Sequence, residues 1–187
     1  MKNKLTKLEF KWICYDMGNS AFILLVATIL PIYFNYLSSS QGVAEHNYLS
    51  YWSYAASLST LIVALAGPIL GTLADYKDHK KKIFLTCAML GALALACFWI
   101  PSSWLAFLVL FIAAKVAYSL SLIVYDSMLT DITTEERMDA VSSKGYAWGY
   151  IASVVPFIIS LIFVLMYDKI GTVSYTHLRA HETDSYL

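Results

Sequence analysis

A lysine lies near the middle of an otherwise apolar stretch, and polar residues accompany it at helical spacing. If segment 104–129 is a helix rising about 1.5 Å per residue, Lys115 lies about 16 Å from its start. Ser119 and Asp126 then share a stripe with Lys115, and Tyr118 flanks it. This pattern predicts a polar cavity wall at which Lys115 binds an anionic group of a small solute.

The cost of burying a lysine supports that interpretation. On insertion scales, a lysine at the centre of a membrane helix costs roughly 2.5 to 3.5 kcal/mol, so it usually faces a partner or a polar cavity. The alternative is that Lys115 extends toward the membrane surface or makes a purely structural hydrogen bond. The sequence leaves both interpretations open.

Two carboxylates lie near the ends of apolar segments on the same expected side of the membrane. Asp16 shares a helical face with Asn19 at the start of the first segment, and Asp126 approaches the end of the fourth. We expect Asn19 to line the cavity, and either carboxylate could carry a coupling proton. Alternatively, both carboxylates are interfacial and solvated.

The sequence contains no pattern typical of an enzyme, a metal site or a cofactor site. H-E-x-x-H, G-x-S-x-G and phosphate-loop motifs are absent from it. The three cysteines, Cys14, Cys87 and Cys97, lack metal-ligand spacing. We therefore expect no catalytic residue, no metal and no cofactor.

Composition indicates an all-α membrane protein. Hydrophobic residues make up 59% of the chain and charged residues 14%, and the net charge of zero makes nucleic acid an improbable partner. A membrane helix needs roughly 20 apolar residues. Five segments reach or approach this length: 12–37, 51–74, 83–100, 104–129 and 146–167.

Basic residues are distributed unevenly around these five predicted spans. They precede the first span and follow the second and fourth, whereas the connections 38–50 and 101–103 carry none. The positive-inside rule therefore places the N-terminus in the cytoplasm. We expect a multi-pass protein of the cell (inner) membrane, with aromatic residues at the span ends, including Trp12, acting as interfacial anchors.

Small residues four positions apart occur in two of the spans. Gly67 and Gly71 form such a strip on the second span, and Gly145 and Gly149 form one on the fifth. Strips of this kind let helix backbones approach closely. A separate signal, the capping-box spacing of Thr133 and Glu136, predicts a short helix over 133–140 before the fifth span.

The junction 71–80 resembles a known transporter signature. It reads GTLADYKDHK, close to the pattern G-x-x-x-D-[RK]-x-G-[RK]-[RK] that joins the second and third helices of the major facilitator superfamily, and it departs from that pattern at Tyr76 and Asp78. The stretches 12–22 (WICYDMGNSAF), 67–82 and 125–150 are further similar to the vacuole effluxer-like branch of that superfamily.

The resemblance implies a twelve-helix secondary transporter, of which this chain supplies five helices of the N-terminal half. Fungal members of the branch export amino acids from the vacuole. The loop residues Gly71, Asp75, Lys77 and Lys80 would then form a conformational switch, with Asp75 facing the positive end of a neighbouring helix. The second and fifth helices would face the missing C-terminal half, although packing within this half would also explain their glycines.

The last residues differ in character from the rest of the chain. The stretch 173–183 (VSYTHLRAHET) resembles one reading frame of a sequencing-library transposon adapter. We therefore expect residues 1–172 to be a truncated transporter half and 173–187 an artefactual tail. The alternative to a transporter is a small oligomeric membrane scaffold or assembly protein that associates through its glycine strips.

Overall fold

A computed structural model describes residues 4–76 and 79–166, and all of its regular elements are helices. The helices are α1 (Lys7–Ala27), α2 (Ile29–Ser40), α3 (Glu45–Ala74), α4 (Lys80–Ala96), α5 (Trp104–Ser127), α6 (Leu129–Ile132) and α7 (Glu135–Leu165). α1 packs mainly against α7, while α3 and α4 both pack against α5. α5 is therefore the central helix of the bundle.

The predicted all-α membrane fold is confirmed. Four helical segments among the described residues are long and apolar enough to cross a membrane: Lys7–Ser40, Asn47–Ala74, Trp104–Ile132 and Glu135–Leu165. α4, in the position of the predicted span 83–100, has 17 residues and ends at Ala96, which places it at the lower limit of a spanning length.

The first span is interrupted between α1 and α2 at Thr28. Pro31 explains the position, because proline has no N–H to donate to the carbonyl four residues earlier and its ring crowds that carbonyl. Thr28 ends α1 by donating both its N–H (3.1 Å) and its Oγ1 hydroxyl (2.5 Å) to the carbonyl of Leu24. The span predicted as 12–37 is thus two helices covering Lys7–Ser40.

The prediction of a separate helix over 133–140 was wrong. α7 runs without interruption from Glu135 to Leu165, and its N-cap is Thr134, which makes no side-chain capping bond. The hydroxyl of Thr133 instead donates to Oε1 of Glu9 at 2.8 Å. The capping box of the structure lies at the start of α1, between Thr6 and Glu9.

An aromatic core joins α2, α3 and α5. Phe107 and Phe34 are fully buried, with ring centroids 6.1 Å apart, and Trp52 stacks on Phe111 at 4.2 Å. Leu37, Ala55 and Leu108 complete the buried cluster. Offset aromatic pairs of this kind add to the packing energy of the area that they bury.

A second contact joins α1 to α5. Trp12 is 8% exposed and stacks on Tyr125 with centroids 4.4 Å apart. The indole Nε1 donates to the carbonyl of Tyr125 (3.2 Å), and the Tyr125 hydroxyl donates to the carbonyl of Trp12 (3.0 Å). The interpretation of Trp12 as an interfacial anchor was therefore wrong, because its indole is consumed by helix packing.

The aromatic core yields a test with a matched control. Phe107→Ala should destabilise the fold by about 3 kcal/mol or more, because it empties a fully enclosed site. Phe163→Ala removes the same atoms from α7, where the side chain is 60% exposed, and should have a much smaller effect. Thermal unfolding in detergent measures both, and equal losses of stability would contradict the assignment of the core.

Candidate functional site

Lys115 on α5 contacts the middle of α3. Its Nζ donates to the carbonyl of Ala56 at 3.1 Å and lies 6.0 Å from the centroid of the Phe111 ring. The side chain is half-buried. One part of the ammonium is thus used in packing, as the structural interpretation requires, and two of its three donors have no hydrogen bond among the described residues.

The residues predicted to line one cavity lie on two faces of α5. A cavity of about 300 Å³ between α1, α4 and α5 is lined by Asn19 and Tyr118 but not by Lys115, Ser119 or Asp126. Ser119 is half-buried and Asp126 is exposed. The structure therefore brings Asn19 and Tyr118 together and leaves the other three on a separate face.

The cavity wall contains a buried hydroxyl. The Tyr118 ring tilts against Phe22 with centroids 4.6 Å apart. Its hydroxyl has no hydrogen bond with any part of the chain that the structure describes. On the same wall, the Tyr15 hydroxyl pairs with Oγ of Ser121 at 2.9 Å, so the aromatic side of the cavity joins α1 to α5.

Asp16 lies at the contact between α1 and α7. A Cβ built on Gly145 would lie 3.3 Å from Oδ2 of Asp16, and one built on Gly149 would lie 3.2 Å from the same atom. The half-buried carboxylate therefore faces the glycine strip of the fifth span. Asp16 and Asp126 occupy different surroundings, one inside a helix contact and one exposed.

The glycines differ in what surrounds them. A Cβ on Gly145 would lie 2.7 Å from the Trp12 ring, and one on Gly149 would lie 2.6 Å from Oγ of Ser20. On α3, a Cβ on Gly67 would lie 3.0 Å from Cδ1 of Ile123, whereas one on Gly71 would have nothing within 4 Å. Gly145 and Gly149 pack against α1, and Gly67 packs against α5.

The predicted switch loop is described in part. Asp75 is exposed and caps the C-terminus of α3, donating its N–H to the carbonyl of Gly71 at 3.2 Å. Lys80 forms an ion pair with Asp131 of α6 at 2.7 Å, and its Nζ also lies 3.4 Å from the carbonyl of Ser127. Lys77 lies outside the described residues, as does the predicted tail 173–187.

Sequence reasoning missed a buried charge cluster at the cytoplasmic end of α1. Glu9 is 1% exposed and forms an ion pair with Arg137 of α7 at 2.7 Å. The spacing of Thr6 and Glu9 was a visible capping-box signal. The partnership with Arg137 had no local signal, because the two residues are 128 positions apart.

Comparison with known proteins agrees with this geometry. A family model described as "Vacuole effluxer Atg22 like" matches residues 6–181. An uncharacterized MFS-type transporter of Bacillus subtilis (strain 168), YxiO, is 37% identical over 169 residues. The match covers 89% of this chain but only 40% of that relative. No solved structure matches the chain.

The glycine contacts predict different responses to the same substitution. Gly145→Ala should destabilise the protein by about 1 to 3 kcal/mol, because the new methyl group would overlap a Trp12 ring that Tyr125 holds in place. Gly18→Ala places its methyl group in open space, and alanine favours helix by up to about 1 kcal/mol. Thermal unfolding should separate the two variants, and a Gly145→Ala protein as stable as the unsubstituted chain would contradict the packing of α1 on α7.

Proposed function

Because this chain belongs to the vacuole effluxer Atg22-like family, we propose that it supplies part of the N-terminal half of a secondary transporter that moves a small solute by alternating access. Membership in this family, together with the apolar helices, identifies an integral multi-pass membrane protein and not an enzyme. The chain spans 40% of the curated relative, so the activity belongs to a larger protein. An oligomeric scaffold is not favoured.

Lys115 is the observation that carries this proposal. A half-buried ammonium deep in a membrane helix normally has partners for its hydrogens. Here it donates one hydrogen bond to Ala56, and the side chain is not enclosed in this half of the bundle. The remaining donors would bind the anionic group of the solute, with Ser119 beside them on the same face.

Amino acids are the solute class that we propose. Their carboxylate suits Lys115, and the relatives of this chain include effluxers by description. Lys115 and Asp126 are separated by about 16 Å along the helix axis, so one amino acid cannot bridge them. The ammonium of the solute would bind groups near Lys115, including those of the missing C-terminal half, and Asp126 would belong to the cytoplasmic entrance.

The switch loop would act at the cytoplasmic side of the same transporter. Gly71 is not packed against a described neighbour, and Asp75 is exposed. Both are therefore free to contact the second half when the two halves rock against each other. Lys80 connects this loop to α6 through Asp131. We place the protein in the cell (inner) membrane, with its N-terminus in the cytoplasm.

Transport by the complete protein tests the role of Lys115. Lys115→Ala should reduce uptake or efflux of radiolabelled amino acids in proteoliposomes at least about tenfold, because a buried charge-assisted contact to the solute is lost. Lys82→Ala removes an exposed lysine near the membrane surface and should leave transport unchanged. Full transport by Lys115→Ala would return Lys115 to a structural role.

Proton coupling is proposed for Asp16 in preference to Asp126. Asp16 is enclosed between two helices, so a change in its charge alters their contact, whereas Asp126 is exposed. Asp16→Asn should abolish the response of transport to an imposed proton gradient while solute exchange continues. Asp139→Asn, an exposed position on α7, is the control, and a gradient response retained by Asp16→Asn would exclude this coupling role.

A further inference from the structure

The carboxylate of Glu9 is held by donors from three segments of the chain. Its oxygens accept from the N–H of Thr6 (2.7 Å), the hydroxyl of Thr133 (2.8 Å), and Nε (3.0 Å) and Nη2 (2.7 Å) of Arg137. Arg137 also donates from Nη2 to the carbonyl of Lys4 at 3.1 Å. The contact is bidentate, and it ties the start of α1 to the start of α7.

Such a cluster tolerates little displacement. A carboxylate that is removed from water must keep its partners, and losing one partner of a buried ion pair leaves an uncompensated charge. A slip of one helical turn moves α1 by about 5.4 Å, which is beyond the reach of the hydrogen bonds to Thr133 and Arg137. The cluster is therefore satisfied at one axial position of α1 on α7.

The rest of the α1–α7 contact extends from this cluster along one face of each helix. On α1 the face carries Glu9, Trp12, Asp16 and Ser20, and on α7 it carries Arg137, Val141, Gly145, Gly149 and Ser153. Glycines let the two backbones approach closely, but a smooth strip offers few side-chain ridges to hold the helices against sliding. Something other than the strip must fix the register.

We propose that Glu9 and Arg137 form a register clasp, which fixes α1 on α7 so that Asp16 and Ser20 lie against Gly145 and Gly149. The two residues are positioning residues, and through them α1 and α7 move as one body. The inference concerns packing within this chain, so it stands whether or not the proposed transport activity is correct.

The second cytoplasmic ion pair differs from the clasp in ways that matter for this role. Asp131 is exposed and Lys80 partly so, and one carboxylate oxygen makes the contact. A pair of this type is screened by water and contributes about 0 to 1 kcal/mol. It can open without a large cost, whereas the Glu9 cluster cannot. Asp131→Ala therefore provides a matched control for loss of a cytoplasmic ion pair.

Disulfide cross-linking between α1 and α7 reads the register directly. In the protein with Cys14, Cys87 and Cys97 replaced by alanine, Ser20→Cys with Gly149→Cys reports the observed register, because a Cβ on Gly149 would lie 2.6 Å from Oγ of Ser20. Ser20→Cys with Ser153→Cys reports a register displaced by one turn. The ratio of the two cross-linking rates is measured in lipid vesicles.

We expect Arg137→Ala to lower the ratio of the 20–149 rate to the 20–153 rate at least about tenfold, because the energy that selects the register is removed. Arg137→Lys should recover part of the ratio, and Asp131→Ala should leave it unchanged. An unchanged ratio in Arg137→Ala, at native helical content by circular dichroism, would overturn the proposal.

A milder variant decides the matter if Arg137→Ala does not fold. Glu9→Gln keeps the size of the side chain and its hydrogen bonds to Thr6 and Thr133, but it removes the charge that binds Arg137. Its ratio should lie between those of the unsubstituted chain and Arg137→Ala. A Glu9→Gln protein with an unaltered ratio would show that the strip alone sets the register.

Discussion

The close approach of α1 to α7 is the contact from which the other helix positions follow. It requires the absence of side chains at Gly145 and Gly149, since a Cβ at either position would fall within 2.7 Å of an atom on α1. With α1 in this position, Trp12 reaches Tyr125 and stacks on it, which places α5. α5 in turn is the surface against which α3 and α4 pack. Loss of the glycine contact would thus affect four other helices through one tryptophan.

The membrane explains how polar groups are distributed within this arrangement. Hydrocarbon cannot accept hydrogen bonds, so hydroxyls inside the bundle must find partners in the protein. The buried serines do so locally, donating to carbonyls three or four residues earlier in their own helices, as Ser59 does to Ala55 (2.7 Å) and Ser153 to Tyr150 (2.8 Å). The strong ion pairs among the described residues lie instead at the cytoplasmic ends, where Glu9 and Lys80 join different segments.

α5 serves packing and chemistry with different faces. Phe107, Phe111 and Tyr125 bury their rings in the two cores, whereas Ser119 and Asp126 remain accessible. Lys115 lies between these roles, since it binds a carbonyl of α3 and retains donors for a further partner. A helix divided in this way suits a protein whose solute site is completed by a second half, because the chemical face needs no enclosure until that half is present.

The sequence by itself determined the class of the protein, its spans and its family resemblance, because hydrophobic length, charge position and the 71–80 signature are local properties. It also indicated that Gly145 and Gly149 permit close packing, and the tertiary structure decided that their partner is α1. Trp12 and Thr133 were misinterpreted for the same reason. An indole at a span end or a threonine with capping spacing satisfies a local rule, but distant residues, Tyr125 and Glu9, made the better partners. Only the tertiary structure could separate Tyr118 from Lys115 into different surroundings or pair Glu9 with Arg137, because those contacts depend on how helices far apart in the chain are rotated against each other.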